Sequence, residues 1–325
     1  MQQAKRHHFV PKAYLKSFCD TDGKLLIYRK DDPSKPLHVK PDATQFRRYY
    51  YSQPIPSGGQ DNNTLESLFS VIESSWPETV ARLHQREDVN DRLINIFEFM
   101  SLQRVRVPAA RDLIEAMLAQ SAKDTMKVML ANGTLPPPPP GLENIADLVQ
   151  VSINPHQSIR GMAELFKGMG RVYEKLGFAA VHNTTQRLFL TSDNPVLWFD
   201  PDVPFWEQKP YTIDPDAGSA LLLFPISPRL ILLGSMQYKE MFGKHGLLHS
   251  DIQDESAVDL MNAQICRFAY EAVIATDVGH EEMILEFAGV SPVLEATPTK
   301  AANGILTIYQ HTFGQRKPKP KWNTD

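Results

Sequence analysis

The chain has 325 residues, room for one large domain or two moderate ones at roughly 100–200 residues each, and 42% of them are hydrophobic, enough for a sizeable core. A formal net charge of -4 and a pI near 6.2 exclude a strong global field toward nucleic acid or an anionic membrane, and leave only a local basic groove open. Cys19 and Cys266 lie far apart with no C-x-x-C spacing, which excludes a disulfide framework and a cysteine zinc site; both are read as reduced thiols.

The opening MQQAKRHHFVPKAYL lacks the apolar stretch of a signal peptide, and no run of about eighteen apolar residues occurs, so no membrane span is expected and cytoplasm is the default compartment. Residues 1–60 read as irregular and β-like. LLIYRK (25–30) is a strand after the Asp22-Gly23 turn, and FRRYYYS (46–52) is aromatic and β-prone. Leu65, Leu68, Phe69 and Ile72 have helical spacing behind an Asn63 or Thr64 cap, and Pro77 ends, kinks or restarts that helix. A second helix spans about Asp91 to Val105. Pro108 restricts Val107 to extended geometry and breaks it, and a third helix runs from about Ala109 to Leu130.

The five prolines 136–140 can form neither helix nor central strand and read as a stiff polyproline spacer, with a docking site for an aromatic groove as the alternative. Residues 158–176 are helical again, and their G-x-G does not follow a strand, so it is no dinucleotide fingerprint. Strand-rich stretches follow: FAAVHNT, RLFLTSDNPVLWF, ALLLFPISP, RLILLGS and FAYEAVIA, interrupted by a helix from about Ile252 to Cys266. Strands without regular helical alternation give an α+β class. The expected layout is an N-terminal β-like segment, a helical middle (about 61–176) and a mostly antiparallel C-terminal sheet packed on helices. It forms one domain over 1–296, with a polar, mobile tail over 297–325.

Four constellations carry candidate chemistry. In HHFVPKAYLKSF (7–18) the two histidines precede an extended Pro11 entry into a short helix. Adjacent side chains of an extended segment face opposite ways, so His7 and His8 do not both serve one site. In LFLTSDNPVLWF (188–199) an apolar run stops at Thr191-Ser192-Asp193-Asn194-Pro195, which places polar groups at a strand end. Asp193 there either activates water or binds a cation, or it satisfies loop backbone as Asx residues do. Glu66 and Glu73 share a helix face beside apolar neighbours, either as a half-buried pair needing partners or as a solvated face. Gln103 and Arg106, three apart at a helix end, face one target; Arg106 either makes a structural ion pair with Glu73 or Asp193 or clamps a phosphate or carboxylate. Arg47-Arg48 with Tyr49, Tyr50 and Tyr51 mixes cations and aromatics as nucleic-acid surfaces do, or is core. G-x-x-x-x-G-K-[ST], H-E-x-x-H and G-x-S-x-G are absent.

HHFVPKAYLKSF resembles the H-H-x-x-P-x-x-Y-L-x-x-F opening of an uncharacterised bacterial family, domain of unknown function 4238. The Glu66/Glu73 helix, Gln103…Arg106…Pro108, FLTSDNPV (189–196), FPISP (224–228) and the Asn262 helix are similar to further parts of it, over about residues 5–275. The resemblance brings no reaction. It implies a shared fingerprint: His7, His8, Tyr14, Glu66, Glu73, Gln103, Arg106, Asp193, Asn194 and Pro195, with Tyr14 and Pro195 architectural. The leading expectation is a hydrolase acting on a phosphoester or nucleotide. His7, His8, Glu73 and Asp193 are its candidate catalytic residues, with His8, Glu73 and Asp193 converging. Gln103, Arg106 and Asn194 orient the substrate, and a divalent metal is one cofactor such residues admit. The alternatives are a non-catalytic module whose polar residues form a structural network and, weakest given the net charge, nucleic-acid recognition around Arg47–Tyr51.

Overall fold

The computed structural model describes residues 5–212, 219–301, 304–320 and 322; the ends of the chain, 1–4, 321 and 323–325, on which the reading of leader and tail partly rested, lie outside them. The fold is α+β. At its centre is a five-stranded sheet in the order Leu248–Ile252, Gly177–Asn183, Leu230–Ser235, Leu221–Ser227, Leu197–Phe199; the first pair is parallel and the rest antiparallel. Side chains alternate along each strand, and both faces are covered. Leu222, Phe224 and Leu232 point into a core shared with Trp76, Phe99 and Met100 of the helices. Leu223, Ile231 and Leu233 point into a second core with Val258, Ile265 and Phe268. Burial on both faces is why these strands read as continuous apolar runs rather than alternating ones.

The second core is closed by a four-stranded antiparallel sheet, ordered Asp32–Val39, Leu25–Arg29, Ala272–Ala275, Thr191–Ser192. The T-S-D-N-P stretch is therefore a crossover. Thr191 and Ser192 pair with Ile274 and Val273, and after Pro195 the chain joins the other sheet, where Leu197 pairs with Leu223. The preceding Leu188–Leu190 is not a strand as expected. The buried Asn262 amide takes the place of a neighbouring strand: its Oδ1 accepts from Leu190 N–H (2.9 Å) and its Nδ2 donates to Leu188 C=O (2.8 Å).

Proline sets the helix boundaries. Pro77 lies in the first turn of Trp76–His84, just after Thr64–Glu73, so it opens a helix rather than kinking one. Leu93–Val105 ends before an extended Val107 (φ -75, ψ 156), and Pro108 starts Pro108–Ala131. Pro136–Pro139 belong to no helix or strand and lead to the short Ile145–Leu148 turn of helix. Pro155–Tyr173 starts earlier than the 158 expected, because Asn154 accepts from His156 N–H (3.0 Å) and Pro155 fits the first turn. Among the described residues, no helix is long and apolar enough to cross a membrane.

One expectation is corrected outright. The polar tail foreseen from Thr297 begins inside a long hairpin, Ser291–Ala301 paired antiparallel with Gly304–Gly314. Pro292 and Pro298 hid the first strand, since proline is a poor strand residue except at an edge; a two-stranded ribbon is all edge. Thr307 Oγ1 bonds the Asp124 carboxylate, fastening the hairpin to the Pro108–Ala131 helix.

Candidate functional site: the His8–Glu66 cleft

The N-terminal strand Arg6–His8 pairs antiparallel with Phe46–Arg48, which sets the two histidines on opposite faces. His7 turns inward. It is fully buried, its ring is stacked on Tyr51 at 5.6 Å, and its Nδ1 accepts from Tyr51 N–H (2.8 Å). His8 turns outward into a cleft of about 620 Å³, walled by Glu66, Ser70 and Glu73 of the Thr64–Glu73 helix, by Arg106, and by Lys12, Lys16, Arg6 and Asp42. Just beyond, Pro11 is extended and Lys12–Leu15 forms a helical turn. That turn buries Tyr14, whose hydroxyl donates to Pro225 C=O (2.7 Å) and meets Thr191 Oγ1 (2.6 Å). Tyr14 thus ties the motif to the central sheet, an architectural role.

Two side-chain atoms in this cleft lack hydrogen-bond partners among the described residues. His8 Nε2 and Glu66 Oε1 are both buried atoms that make no hydrogen bond to the protein. Burial, reinforced by the charges of Lys12 and Arg106, pushes the His8 imidazole down to about 4, against an opposing hydrogen bond to the Asp42 backbone. Burial pushes the Glu66 carboxyl up to about 7, with Arg106 opposing and Glu73 adding to the rise. Near neutral pH the imidazole is therefore an uncharged base and Glu66 is close to half protonated. Asymmetry of this kind between two groups on the wall of one cleft is what acid–base chemistry requires.

Arg106 has another job. It is 2% exposed, its Nε donates to Phe9 C=O (3.0 Å), its Nη2 to His8 C=O (2.6 Å), and its Nη1 pairs with Glu73. Its own carbonyl accepts from Tyr51 O–H (2.8 Å). Two of its five N–H groups thus fasten the histidine segment to the helices and a third pairs with Glu73, so the clamp expected for substrate is chiefly a clamp on backbone. Gln103 does not share the cleft. Arg106 is the cap of the Leu93–Val105 helix and is drawn to the 8–9 carbonyls, whereas Gln103 stays fully buried with neither amide atom partnered.

Asp193 and Asn194 do not line the cleft either, so the expected convergence of His8, Glu73 and Asp193 is not what the fold makes. Asp193 is fully buried at the crossover; its Oδ1 accepts from Tyr270 N–H (2.8 Å) and its Oδ2 from Glu271 N–H (2.6 Å). Close by in charge, Lys30 donates to the carbonyls of Cys266 (2.9 Å), Ala269 (2.8 Å) and Val290 around the end of the Glu255–Phe268 helix, where the helix dipole favours a cation. Burial and the Glu271 charge raise Asp193 to about 6 despite its two donors, and burial lowers Lys30 to about 8 despite Asp193. Asn194 donates to Tyr211 Oη (2.5 Å) and to Phe268 C=O (2.9 Å). These residues hold the 268–272 connection in place rather than facing a ligand.

Part of the Arg47–Tyr51 run is used internally, while Arg48 and Tyr49 are exposed. Arg47 pairs with Glu271 (2.6 Å) and Tyr51 is 2% exposed, while Tyr50 lies under Arg111 at 4.1 Å. Among the described residues no group of three His, Cys, Asp or Glu side chains is placed to hold a metal ion. Sequence reading passed over Lys12, Lys16, Arg6 and Asp42. The period-two pattern of residues 6–8, which puts Arg6 on the same side as His8, could have flagged the first cation of this rim.

No curated protein and no solved structure matches the chain. A family model does, over residues 6–278, the span that carries every cleft residue described above, and the chain therefore belongs to the family described as "Protein of unknown function (DUF4238)".

Proposed function

We propose that the His8–Glu66 cleft hydrolyses a phosphoester, nucleotides among the candidates, by general acid–base catalysis. The observation that carries this is the pair of buried, unpartnered atoms, His8 Nε2 and Glu66 Oε1, on the wall of one charged cleft. Lys12, Lys16 and Arg6 supply the positive rim that an anionic substrate needs. In the reaction, neutral His8 takes a proton from water as its oxygen bonds to phosphorus. Protonated Glu66 gives its proton to the leaving oxygen as the old P–O bond breaks. Arg106 holds the His8 backbone and pairs with Glu73 on the cleft wall, a positioning role.

The test uses the purified full chain with nucleoside monophosphates and an aryl phosphodiester at pH 6. Turnover is expected, with kcat lowered about 10²-fold or more in His8→Ala and in Glu66→Gln at unchanged far-UV circular dichroism. Lys12→Ala is expected to raise KM with little change in kcat. Absence of turnover on every substrate, or turnover that ignores both cleft variants, sinks the proposal.

A second function, a non-catalytic module, draws on Arg106, Asp193 and Lys30, whose hydrogen bonds to backbone anchor chain segments. In that case His8→Ala and Glu66→Gln leave every measured property but stability unchanged, and the proline run 136–140 or the tail meets the partner.

A further inference from the structure

A second cavity, of about 540 Å³, lies between the Pro108–Ala131 helix and the Ser291–Gly314 hairpin, on residues the His8 cleft does not use. Part of its wall is Arg104, the arginine of Q-R-V-R-V-P that no function above absorbs. Arg104 is 2% exposed, and its Nε and Nη1 find no hydrogen-bond partner. Its guanidinium lies on the Tyr211 ring at 3.8 Å and near Trp198 at 5.6 Å, held by ring faces, with no carboxylate paired to it among the described residues. Tyr211 is in turn fixed by Asn194 (2.5 Å). His311, from the hairpin, meets Tyr211 edge-on at 5.3 Å, and its Nε2 is also buried and unpartnered.

A buried cation with free donors is costly, and in folded proteins its counter-charge is normally supplied. Of the acids that share this cavity, Asp112 takes the Tyr270 hydroxyl (2.7 Å) and Lys319, Glu115 takes Lys319 (2.6 Å) and Ser158 (2.9 Å), and Glu295 is exposed on the hairpin, with no ion pair to Arg104 among the described residues. Most of the remaining wall is apolar, with Leu113, Ala119, Ile153, Val293 and Phe313.

We propose that this cavity binds a monocarboxylate with an apolar or aromatic body, its carboxylate taken by Arg104 with His311 beside it, and its body lying between Leu113, Ile153 and Phe313. The charge count favours one negative charge. Burial and Arg104 push His311 down to about 4, so it offers no second cation at neutral pH. Lys319 and Arg316 are occupied, Arg316 on Glu271 (3.4 Å) and over Tyr270 at 4.7 Å, and Lys317 is exposed at the rim rather than buried beside Arg104. A phosphate dianion would therefore meet a single deep charge.

The test is calorimetry and thermal shift on the full chain with decanoate and 4-phenylbutyrate, with decanol and inorganic phosphate as controls. Both carboxylates are expected to bind and raise Tm, and the controls are not. Arg104→Met keeps an apolar stem on Tyr211 and is expected to weaken carboxylate binding about tenfold or more while the unliganded Tm holds or rises. Ala119→Trp, which narrows the cavity without touching the guanidinium, is expected to lose binding as well and serves if Arg104→Met fails to fold. No binding of either carboxylate at millimolar concentration, stronger binding of phosphate, or binding indifferent to both variants overturns the proposal. Activity of the His8 cleft is not used as a readout, so the two proposals fail separately.

Discussion

Asp193, fully buried, and Glu66, half-buried, are both carboxyls raised well above the ordinary range, to about 6 and about 7, and the resemblance ends there. Each Asp193 oxygen accepts a backbone N–H, from residues 77 and 78 positions away, and Lys30 lies within its field. Glu66 has an oxygen with no partner, facing a cleft that also holds an unpartnered imidazole nitrogen. Burial alone thus does not separate structural groups from working ones. The separation comes from counting donors and acceptors: a saturated group stabilises the fold, and an unsaturated one at a cavity wall is free to meet a substrate.

The largest effect expected from this contrast is at the saturated site. Asp193→Ala strands two buried N–H groups and removes the field that helps keep Lys30 charged, so it should cost about 3–5 kcal/mol of stability in chemical denaturation. A cost under about 1 kcal/mol would break the comparison, because Asp193 would then not be an anchor. Arg106→Met comes next. It leaves two buried carbonyls and Glu73 without a donor and should cost about 2–4 kcal/mol, with faster proteolysis of the 5–12 segment.

The cleft predicts a smaller effect of opposite sign. The folded state holds the Glu66 proton more tightly than the unfolded chain does. The stability it contributes is therefore full below about 4.5 and lost as pH rises through about 7. Glu66→Gln should remove that slope and, at pH 8, stabilise the protein by about 1–2 kcal/mol, a figure discounted for the side chain's partial contact with solvent. His8 works the other way. Its imidazole is lowered, so its contribution is present above about 6.5 and lost as pH falls through about 4. Urea titrations of wild type and Glu66→Gln at pH 4.5, 6 and 8 check the sign. A variant less stable than wild type at pH 8 would place Glu66 with Asp193 among the anchors.

Local physics made much of this legible in the sequence. Helical spacing and the stops at Pro77 and Pro108 placed the Thr64–Glu73 and Leu93–Val105 helices, and the period of an extended segment separated His7 from His8. The Glu66–Glu73 spacing put both carboxyls on the face that became the cleft. What stayed hidden was long-range. Nothing near Asp193 announces Tyr270 and Glu271 as its donors, and a polar motif at a strand end looks the same whether it faces a ligand or pins a distant turn. Arg106 is divided: its ion pair with Glu73 was one of the two expected, whereas its backbone partners at residues 8 and 9 have no sequence signature. The run 47–51 looked like a surface because its cations sit beside its aromatics in sequence, and Arg48 and Tyr49 are exposed, yet Arg47 turns to Glu271 and the Tyr50 ring, and Tyr51 is buried.

The most direct test of the central claim is the pH dependence of kcat/KM for phosphoester hydrolysis in wild type and Glu66→Gln. The paired protonation states predict a bell with an acidic limb near 4, where His8 gains its proton, and an alkaline limb near 7, where Glu66 loses its own. In Glu66→Gln the alkaline limb should vanish along with most of the rate. A profile without those limbs in wild type, or an alkaline limb that survives the substitution, would contradict acid–base work by this pair.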